Sequence, residues 1–324
     1  MPEKMSKNTY GLRGVLAEYI GMALVLAGLT AFFGFATENF CTTTTFRTIA
    51  NQIPSAVIVA VGMTFVLIIA GIDLSVGSVL GLSSAVLGVC LVQYGLPLPV
   101  AILACLATGL LCGTINGLVS VKWRLPSFIV TLGMLEAARG GAYLVTGSRT
   151  QYIGSVIEVV TDTKVLGLSI PFITALAIVV IGQVTLARTK FGRYSIALGT
   201  NEQAVWLSGI DPRKIKLAVF ALCGLLTAVA AVIETSRLAS ADPNSGIGFE
   251  LTAIAAVVIG GTSLMGGRGS VISSFFGVLI IAVLGSGLAQ IGVQEPTKRL
   301  ITGCVIVGAV ILDYYRHRLK TRAN

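Results

Sequence analysis

Long apolar stretches recur along this chain from residue 16 to residue 315. A helix needs about 20 apolar residues to cross a bilayer, and several stretches reach that length in a chain that is 55% hydrophobic and only 11% charged. A soluble domain carries about 25% charged residues. We therefore predict an all-α, multi-pass membrane protein with about ten transmembrane helices, near 16–36, 49–70, 75–94, 98–121, 127–147, 168–187, 216–236, 250–265, 270–292 and 299–315.

Basic residues predict how these helices are oriented. Of the 23 Lys and Arg residues, sixteen fall on the side that holds both termini, six fall on the other side, and Arg139 lies within a span. Cytoplasmic loops collect Lys and Arg, so both termini are predicted to be cytoplasmic. The expected layout is a cytoplasmic tail over 1–15, a transmembrane domain over 16–315 and a basic cytoplasmic tail over 316–324.

The composition argues against several other classes of protein. The net charge of +9 is accounted for by the cytoplasmic loops, and no basic run is interleaved with aromatic residues, so we expect no nucleic-acid partner. The chain has no G-x-x-x-x-G-K-[ST] phosphate loop, and we expect it to bind no cofactor. Its six cysteines form no C-x-x-C motif, and its one histidine, His317, lies in the basic tail. We therefore expect neither a metal site nor histidine-based catalysis.

One carboxylate stands in the middle of apolar sequence. Asp73 lies in "IIAGIDLSVGSVLGLSS", between the second and third predicted spans. Gly71 can end the second helix. Asp73 can then accept a hydrogen bond from the backbone N–H of Ser75 or Val76 and cap the third helix. We favour this structural interpretation, and a role in lining or gating a solute path remains the alternative.

Other polar residues in the apolar segments are candidates for a path or a gate, because such residues are costly in lipid. Glu136 and Arg139 are three residues apart and can pair on one helix face, as can Glu234 and Arg237. Glu250 opens a short, glycine-interrupted eighth segment, which indicates either a broken helix near a path or close helix packing. The path and gating candidates are Asp73, Ser75, Gly77, Asn51, Gln52, Glu136 and Glu250.

Three stretches resemble the permease subunits of bacterial sugar ABC importers, specifically the ribose-type group. "AVGMTFVLIIAGIDLSVGSVLGLS" resembles the segment that marks this family. "RTKFGRYSIALGTNEQAVWLSGIDPRKIKL" looks like its cytoplasmic coupling loop, and "ADPNSGIGFELTAIAAVVIGGTSLMGGRGSVIS" looks like its C-terminal signature. Their order and spacing agree with the family over roughly 45–312.

The resemblance implies a permease subunit of an ATP-driven importer that moves a small sugar, ribose or a related monosaccharide, across the bacterial inner membrane. It also implies an ATPase subunit that holds ATP and Mg²⁺, a periplasmic or lipid-anchored solute-binding protein, and a second permease copy or a homologous permease. Two alternatives stay open. One is an ion-coupled secondary carrier, and the other is import of a nucleoside, branched-chain amino acid or signalling molecule within the same family.

The resemblance places the ATPase contact in the loop 188–215. Thr200 with Gln203 forms a capping-box pattern and predicts a short helix over 201–208. Gly209 suits the left-handed position after a helix, and Pro212 prevents continuation. The predicted apolar contacts of this helix are Ala204, Val205 and Leu207. The predicted coupling residues are Gly199, Thr200, Asn201, Glu202, Ala204, Leu207, Ser208 and Gly209.

Overall fold

A computed structural model describes residues 12–165 and 167–322, so residues 1–11 and 323–324 of the two predicted tails lie outside it. The predicted all-α class is confirmed. The helices are α1 (Leu12–Ala36), α2 (Thr43–Gln52), α3 (Pro54–Ile68), α4 (Val76–Val92), α5 (Leu98–Lys122), α6 (Ser127–Thr146), α7 (Ser155–Asp162), α8 (Ile170–Arg188), α9 (Lys190–Thr200), α10 (Glu202–Leu207), α11 (Pro212–Leu238), α12 (Phe249–Ile259), α13 (Val271–Gln290) and α14 (Glu295–Arg322). Four two-residue strands accompany them: β1 (Gln151–Tyr152), β2 (Lys164–Val165), β3 (Leu168–Ser169) and β4 (Ser240–Ala241).

Within the described part of the chain, six helices are long and apolar enough to cross a membrane: α1, α5, α6, α8, α11 and α13. The pair α2 and α3 makes a seventh if it counts as one span bent by 47°, with Pro54 opening the second half. α4 and α12 are shorter apolar helices. Each predicted segment contains a helix, but two predicted bounds are wrong: α12 ends at Ile259 although the segment was predicted to reach 265, and the segment 49–70 includes the break between α2 and α3. Ten crossings and cytoplasmic termini stay predictions.

Helix α3 lies at the packed centre of the bundle beside α11, and α5 packs one face closely against α11. Every residue of α3 except Ala56 is buried. On α5 and α11, glycines let the two backbones touch: a Cβ on Gly224 would lie 2.9 Å from the Cα of Gly113. Small residues at such contacts allow helices to pack closely where lipid supplies no hydrophobic driving force.

Helix α11 runs from one end of the bundle to the other, so its first and last residues identify the two ends. The end where α11 begins carries α9, α10 and the turn between α3 and α4, and we call it the α10 end. The charge pattern predicts that this end is cytoplasmic. The opposite end, called the α7 end, carries α7 and the antiparallel pair β1–β4, with Gln151 opposite Ala241. There the Ser236 hydroxyl of α11 donates to the Ile157 carbonyl of α7 at 2.7 Å.

Candidate transport and coupling sites

Asp73 lies in the turn between α3 and α4 and is only 2% exposed. Its Oδ1 accepts hydrogen bonds from the backbone N–H of Ser75 at 2.9 Å and from the Ser75 hydroxyl at 2.6 Å. The predicted bond to the Ser75 N–H is therefore present. The N-cap position itself belongs to Ser75, so Asp73 stabilises the turn from two residues upstream. Its role in a path or a gate stays a prediction.

The same turn depends on Asn116, which the sequence analysis missed. Asn116 lies on α5 with 1% of its surface exposed, and its Nδ2 donates to the Ser75 hydroxyl at 2.9 Å. The sequence did contain a sign of this role. Asn116 lies in an otherwise apolar span, where an amide side chain needs a hydrogen-bond partner. The turn is thus tied to α5 as well as to α4.

The backbone on either side of Asp73 has no regular secondary structure and pairs with side chains of α6. The Ile72 N–H donates to the Ser127 hydroxyl at 2.9 Å, and the Leu74 N–H donates to the Thr131 hydroxyl at 3.1 Å. Irregular backbone within a membrane protein needs such partners, since lipid offers none. Three helices therefore hold this turn in place.

The segment 241–248 runs into the bundle along α4 before α12 begins. A Cβ on Gly88 would lie 2.6 Å from the Ala241 Cβ, and a Cβ on Gly77 would overlap the Gly246 carbonyl oxygen and the Glu250 carboxylate. Gly88 and Gly77 are separated by about 16 Å along a helix. The segment therefore descends from the α7 end into the bundle, and Gly77 allows its closest approach. Glu250 lies in the first turn of α12, as predicted.

Arg139 of α6 holds this descending segment. Its Nη1 donates to the carbonyl oxygens of Pro243 at 2.5 Å and Ser245 at 2.9 Å. One helical turn away, the Tyr143 hydroxyl donates to Asn244 Oδ1 at 2.7 Å. The guanidinium thus satisfies backbone acceptors that have no regular secondary structure to bind them.

The two predicted charge pairs have different outcomes. The pairing of Glu136 with Arg139 is wrong: no ion pair joins them within the described residues, since Arg139 faces the descending segment and Glu136 is exposed on α6. The pairing of Glu234 with Arg237 is confirmed. The other carboxylate oxygen of Glu234 accepts a bond from the Ser55 hydroxyl at 2.9 Å, which ties α11 to α3.

A crevice of about 900 Å³ opens at the α7 end between α2, α12, α13 and α14. Of the two neighbouring candidates on α2, Gln52 lines this crevice, whereas Asn51 lines a separate pocket of about 220 Å³ beside Lys164 and Phe172. Successive residues of a helix point about 100° apart, so the two side chains diverge. The polar residues that line the crevice include Thr48, Gln52, Thr252, Ser286, Gln290 and Thr302.

The loop 188–215 at the α10 end contains two helices, α9 and α10, where one was predicted. The predicted Thr200–Gln203 capping box is wrong. Thr200 is the last residue of α9, and its hydroxyl donates to the Ile196 carbonyl at 2.9 Å. Asn201 has extended backbone angles, and its Oδ1 accepts from the Ala204 N–H at 2.9 Å, so it caps α10. A residue within a helix cannot adopt the extended geometry that an N-cap requires.

The end of α10 agrees with the prediction. Gly209 has a φ of +81°, which an L-residue rarely adopts. Its N–H donates to the Trp206 carbonyl at 3.0 Å, and the Ile210 N–H donates to the Val205 carbonyl at 3.3 Å. Pro212 then opens α11. The short helix is therefore closed by specific backbone geometry at both ends.

The three residues predicted as the apolar contacts of α10 do not share a face. Val205 is 4% exposed and packs into the chain, whereas Ala204 is exposed and Leu207 is 71% exposed. Trp206, which the sequence analysis left out, is 66% exposed beside Leu207. The large apolar surface available to another protein is thus Trp206 with Leu207.

Gly199 joins α9 to the end of α3. A Cβ on Gly199 would overlap the Ile68 carbonyl oxygen and would lie 2.5 Å from the Gly267 nitrogen. The Gly267 N–H donates to the same Ile68 carbonyl at 2.8 Å. Backbone from three parts of the chain therefore meets directly at this point, which we call the junction.

Comparison with known proteins identifies the family. The family described as "Branched-chain amino acid transport system / permease component" matches residues 45–310. The chain belongs to this family of transport-system permeases. It is 39% identical to the ribose import permease protein RbsC of Haemophilus influenzae over 91% of this chain and 92% of that protein. It is 38% identical to RbsC of Escherichia coli strain K12, over 96% and 98% of the two chains.

A third relative is named for a different sugar. The D-allose transport system permease protein AlsC of Escherichia coli is 35% identical over 90% of each chain. No solved structure matches the chain. The matches cover the Asp73 turn, the descending segment and the coupling loop together, so family membership applies to all the sites described above.

Proposed function

We propose that this chain is the membrane-spanning subunit of an ATP-driven importer that carries a small sugar across the bacterial inner membrane. The family description names branched-chain amino acids, but the relatives at 35–39% identity are named for ribose and allose. A ribose-like pentose or a related monosaccharide is therefore the favoured solute.

The observation that carries the ATP-driven mechanism is α10. It is a short helix closed at both ends, and it exposes Trp206 and Leu207 next to each other. Large exposed apolar residues, tryptophan above all, are typical of the centre of a protein–protein contact. An ATPase subunit, which would itself hold ATP and Mg²⁺, would bind this surface, and Gly199 would carry its displacement to α3.

The remaining partners follow from the same assignment. A solute-binding protein would deliver sugar to the α7 end, where α7 and the β1–β4 pair lie. A second copy of this chain or a homologous permease would complete the path through the membrane. ATP binding and hydrolysis would shift the pair between outward and inward openings, because each nucleotide state favours one of the two.

Reconstitution tests this function directly. Proteoliposomes that contain the permease, its ATPase and its binding protein should accumulate labelled D-ribose only when ATP is supplied on the ATPase side. An ionophore that collapses ion gradients should leave that uptake unchanged. Unlabelled allose, xylose and leucine should then rank the alternatives by competition. Uptake that needs an ion gradient and ignores ATP would establish a secondary carrier instead, and inhibition by leucine alone would establish an amino-acid importer.

A further inference from the structure

The crevice at the α7 end contains polar side chains that the chain itself does not use. In the part of the chain that the structure describes, the side chains of Gln52, Ser286 and Thr302 make no hydrogen bond, although all three line the crevice. Thr48 and Thr252 differ, since their hydroxyls donate to carbonyls of their own helices at 2.9 and 3.3 Å. Thr44 also lines the crevice, and its hydroxyl makes no hydrogen bond to the described residues, so an amide and three hydroxyls remain available to a bound molecule.

Ser286 lies on α13, whose sequence is otherwise mostly apolar, whereas α2, which carries Gln52, and the start of α14, which carries Thr302, contain several polar residues. The exposed face of α5 is apolar, as a surface in contact with lipid needs to be, with Leu103, Leu111, Ile115 and Leu118. A face with unpaired amide and hydroxyl groups would be costly against lipid. The crevice is thus suited to water and a polar solute rather than to lipid tails.

The chemistry of the crevice suits a neutral solute with many hydroxyl groups. Amide and hydroxyl side chains each donate and accept hydrogen bonds, as sugar hydroxyls also do. The charged residues of the crevice are clustered on α14, where Glu295 pairs with Lys298 at 3.5 Å and with Arg299 at 3.7 Å. One carboxylate and two basic side chains leave a net positive charge at this end of α14, whereas the side chains of Gln52, Ser286 and Thr302 are uncharged. The uncharged groups match the hydroxyls of a neutral sugar and provide no ion pair for the ammonium group of an amino acid.

The size of the crevice and of the pocket next to it indicates how far a solute would enter from the α7 end. Its volume of about 900 Å³ lies in the range of about 300–1,000 Å³ that small-molecule sites occupy. Gln52, Phe249 and Thr252 also line a smaller pocket of about 190 Å³, whose other walls include Ala56 and Val278. This inner pocket is mostly apolar, so a sugar that entered from the α7 end would be held at the level of Gln52.

We propose that the crevice is a binding site for a single sugar ring, with Gln52, Ser286 and Thr302 hydrogen-bonded to its hydroxyls and Phe249 against its apolar face. This inference rests on the proposed function and adds the residues that hold the sugar inside the permease. The site is wide and has few polar contacts, so it binds weakly and releases the sugar readily. Its solute comes from the α7 end.

Protection of a thiol tests whether sugar occupies the crevice. Ser286→Cys is made in a chain whose exposed Cys41 and Cys304 are replaced by serine, and it is labelled with a membrane-impermeant maleimide in the permease–ATPase complex. D-ribose at ten times its Kd should slow labelling about ten-fold by mass action, and leucine should not. Tyr152→Cys, 80% exposed at the same end, should label at an unchanged rate. Equal labelling rates of Ser286→Cys with and without ribose, titrated to its solubility limit, would overturn the site.

Filling the crevice gives an independent readout. Gly285 lines the crevice, and no atom of the described residues lies within 4 Å of the place where its Cβ would be. The same holds for Gly28 on the exposed face of α1. Gly285→Phe should therefore fold normally, keep the ATPase bound and lose at least about 90% of ribose uptake. Gly28→Phe should retain uptake. The permease pair should stay intact in both variants, as measured by native mass spectrometry.

The outcomes separate this inference from the function on which it rests. If wild-type proteoliposomes import no sugar, the proposed function fails. If they import ribose while Gly285→Phe is as active as Gly28→Phe, only the crevice site fails. If Gly285→Phe separates the two permease copies, the crevice is an interface between copies, and the sugar site is again overturned.

Discussion

The junction at the α10 end and the crevice at the α7 end are built in opposite ways. At the junction, backbone meets backbone around Gly199, Ile68 and Gly267, with no room for a single added carbon atom. In the crevice, no atom of the part of the chain that the structure describes lies within 4 Å of the sites where Gly285 and Gly303 would carry a Cβ. One end is thus specified by close packing and the other by the chemistry of its side chains, so substitutions of the same size should have very different effects at the two ends.

The largest effect should come from adding one methyl group at the junction. Gly199→Ala forces a Cβ onto the Ile68 carbonyl, and overpacking of this kind costs about 1–3 kcal/mol. We expect uptake to fall more than about ten-fold. The added Cβ pushes α9 away from the end of α3, so the two helices are no longer held in the position that coupling requires. The matched variant Gly285→Ala should change stability by less than about 0.5 kcal/mol. Thermal unfolding and uptake on the same preparations measure both, and equal losses in the two variants would contradict the contrast.

The exposed apolar face of α10 should matter for binding and not for folding. Trp206→Ala should weaken association with the ATPase by about 2 kcal/mol or more, as centrally placed tryptophans do. It should leave the unfolding temperature of the permease alone unchanged, since Trp206 is 66% exposed. Gln203→Ala, also exposed on α10, is the control. Co-purification and titration binding give the result, and an unaltered affinity in Trp206→Ala would remove α10 from the interface.

Asp73 tests whether the turn beside the junction needs a charge or only a hydrogen-bond acceptor. Asp73→Asn keeps an oxygen for the Ser75 N–H and should retain most transport. Asp73→Leu leaves that N–H and the Ser75 hydroxyl without this partner. It should cost about 0.5–2 kcal/mol, the range measured when a side-chain acceptor at the start of a helix is removed. Uptake and urea unfolding distinguish the two variants. A folded Asp73→Asn protein without transport would assign Asp73 a charge-dependent role in the path.

The smallest effects should separate the two candidates for the cap of α10. Asn201→Ala should destabilise the coupling loop by about 1 kcal/mol, measurable as faster hydrogen exchange in 202–208. Thr200→Val should change it by less than about 0.5 kcal/mol, because the Thr200 hydroxyl bonds back into α9. If Thr200→Val speeds hydrogen exchange in 202–208 as much as Asn201→Ala does, the capping box predicted from the sequence would be correct after all.

Features set by neighbouring residues could be predicted from the sequence. The helical segments follow from long apolar runs, the stop at Gly209 follows from its conformational freedom, and the bond between Asp73 and Ser75 joins residues two positions apart. The pairing of Glu234 with Arg237 likewise joins consecutive turns of one helix. Each depends on geometry that a helix or a turn fixes by itself.

Features that depend on distant parts of the chain could not be predicted. Arg139 was expected to pair with Glu136, but it binds carbonyls about a hundred residues later in the chain, and no local pattern marks them. The crevice is formed by four helices, so Ser286 and Thr302 could be recognised as site residues only from the positions of α13 and α14 beside Gln52. Which side of α10 faces outward likewise depends on the surface that Val205 contacts.

The construction of the junction has a mechanical consequence. Side chains between two moving parts act as slack, because rotamers change before the backbones do, and part of any displacement is lost. Gly199 and the Ile68 carbonyl have no such layer between them. A displacement of α9 toward α3 must therefore shift the end of α3 by almost the same distance, so this contact transmits motion with little loss.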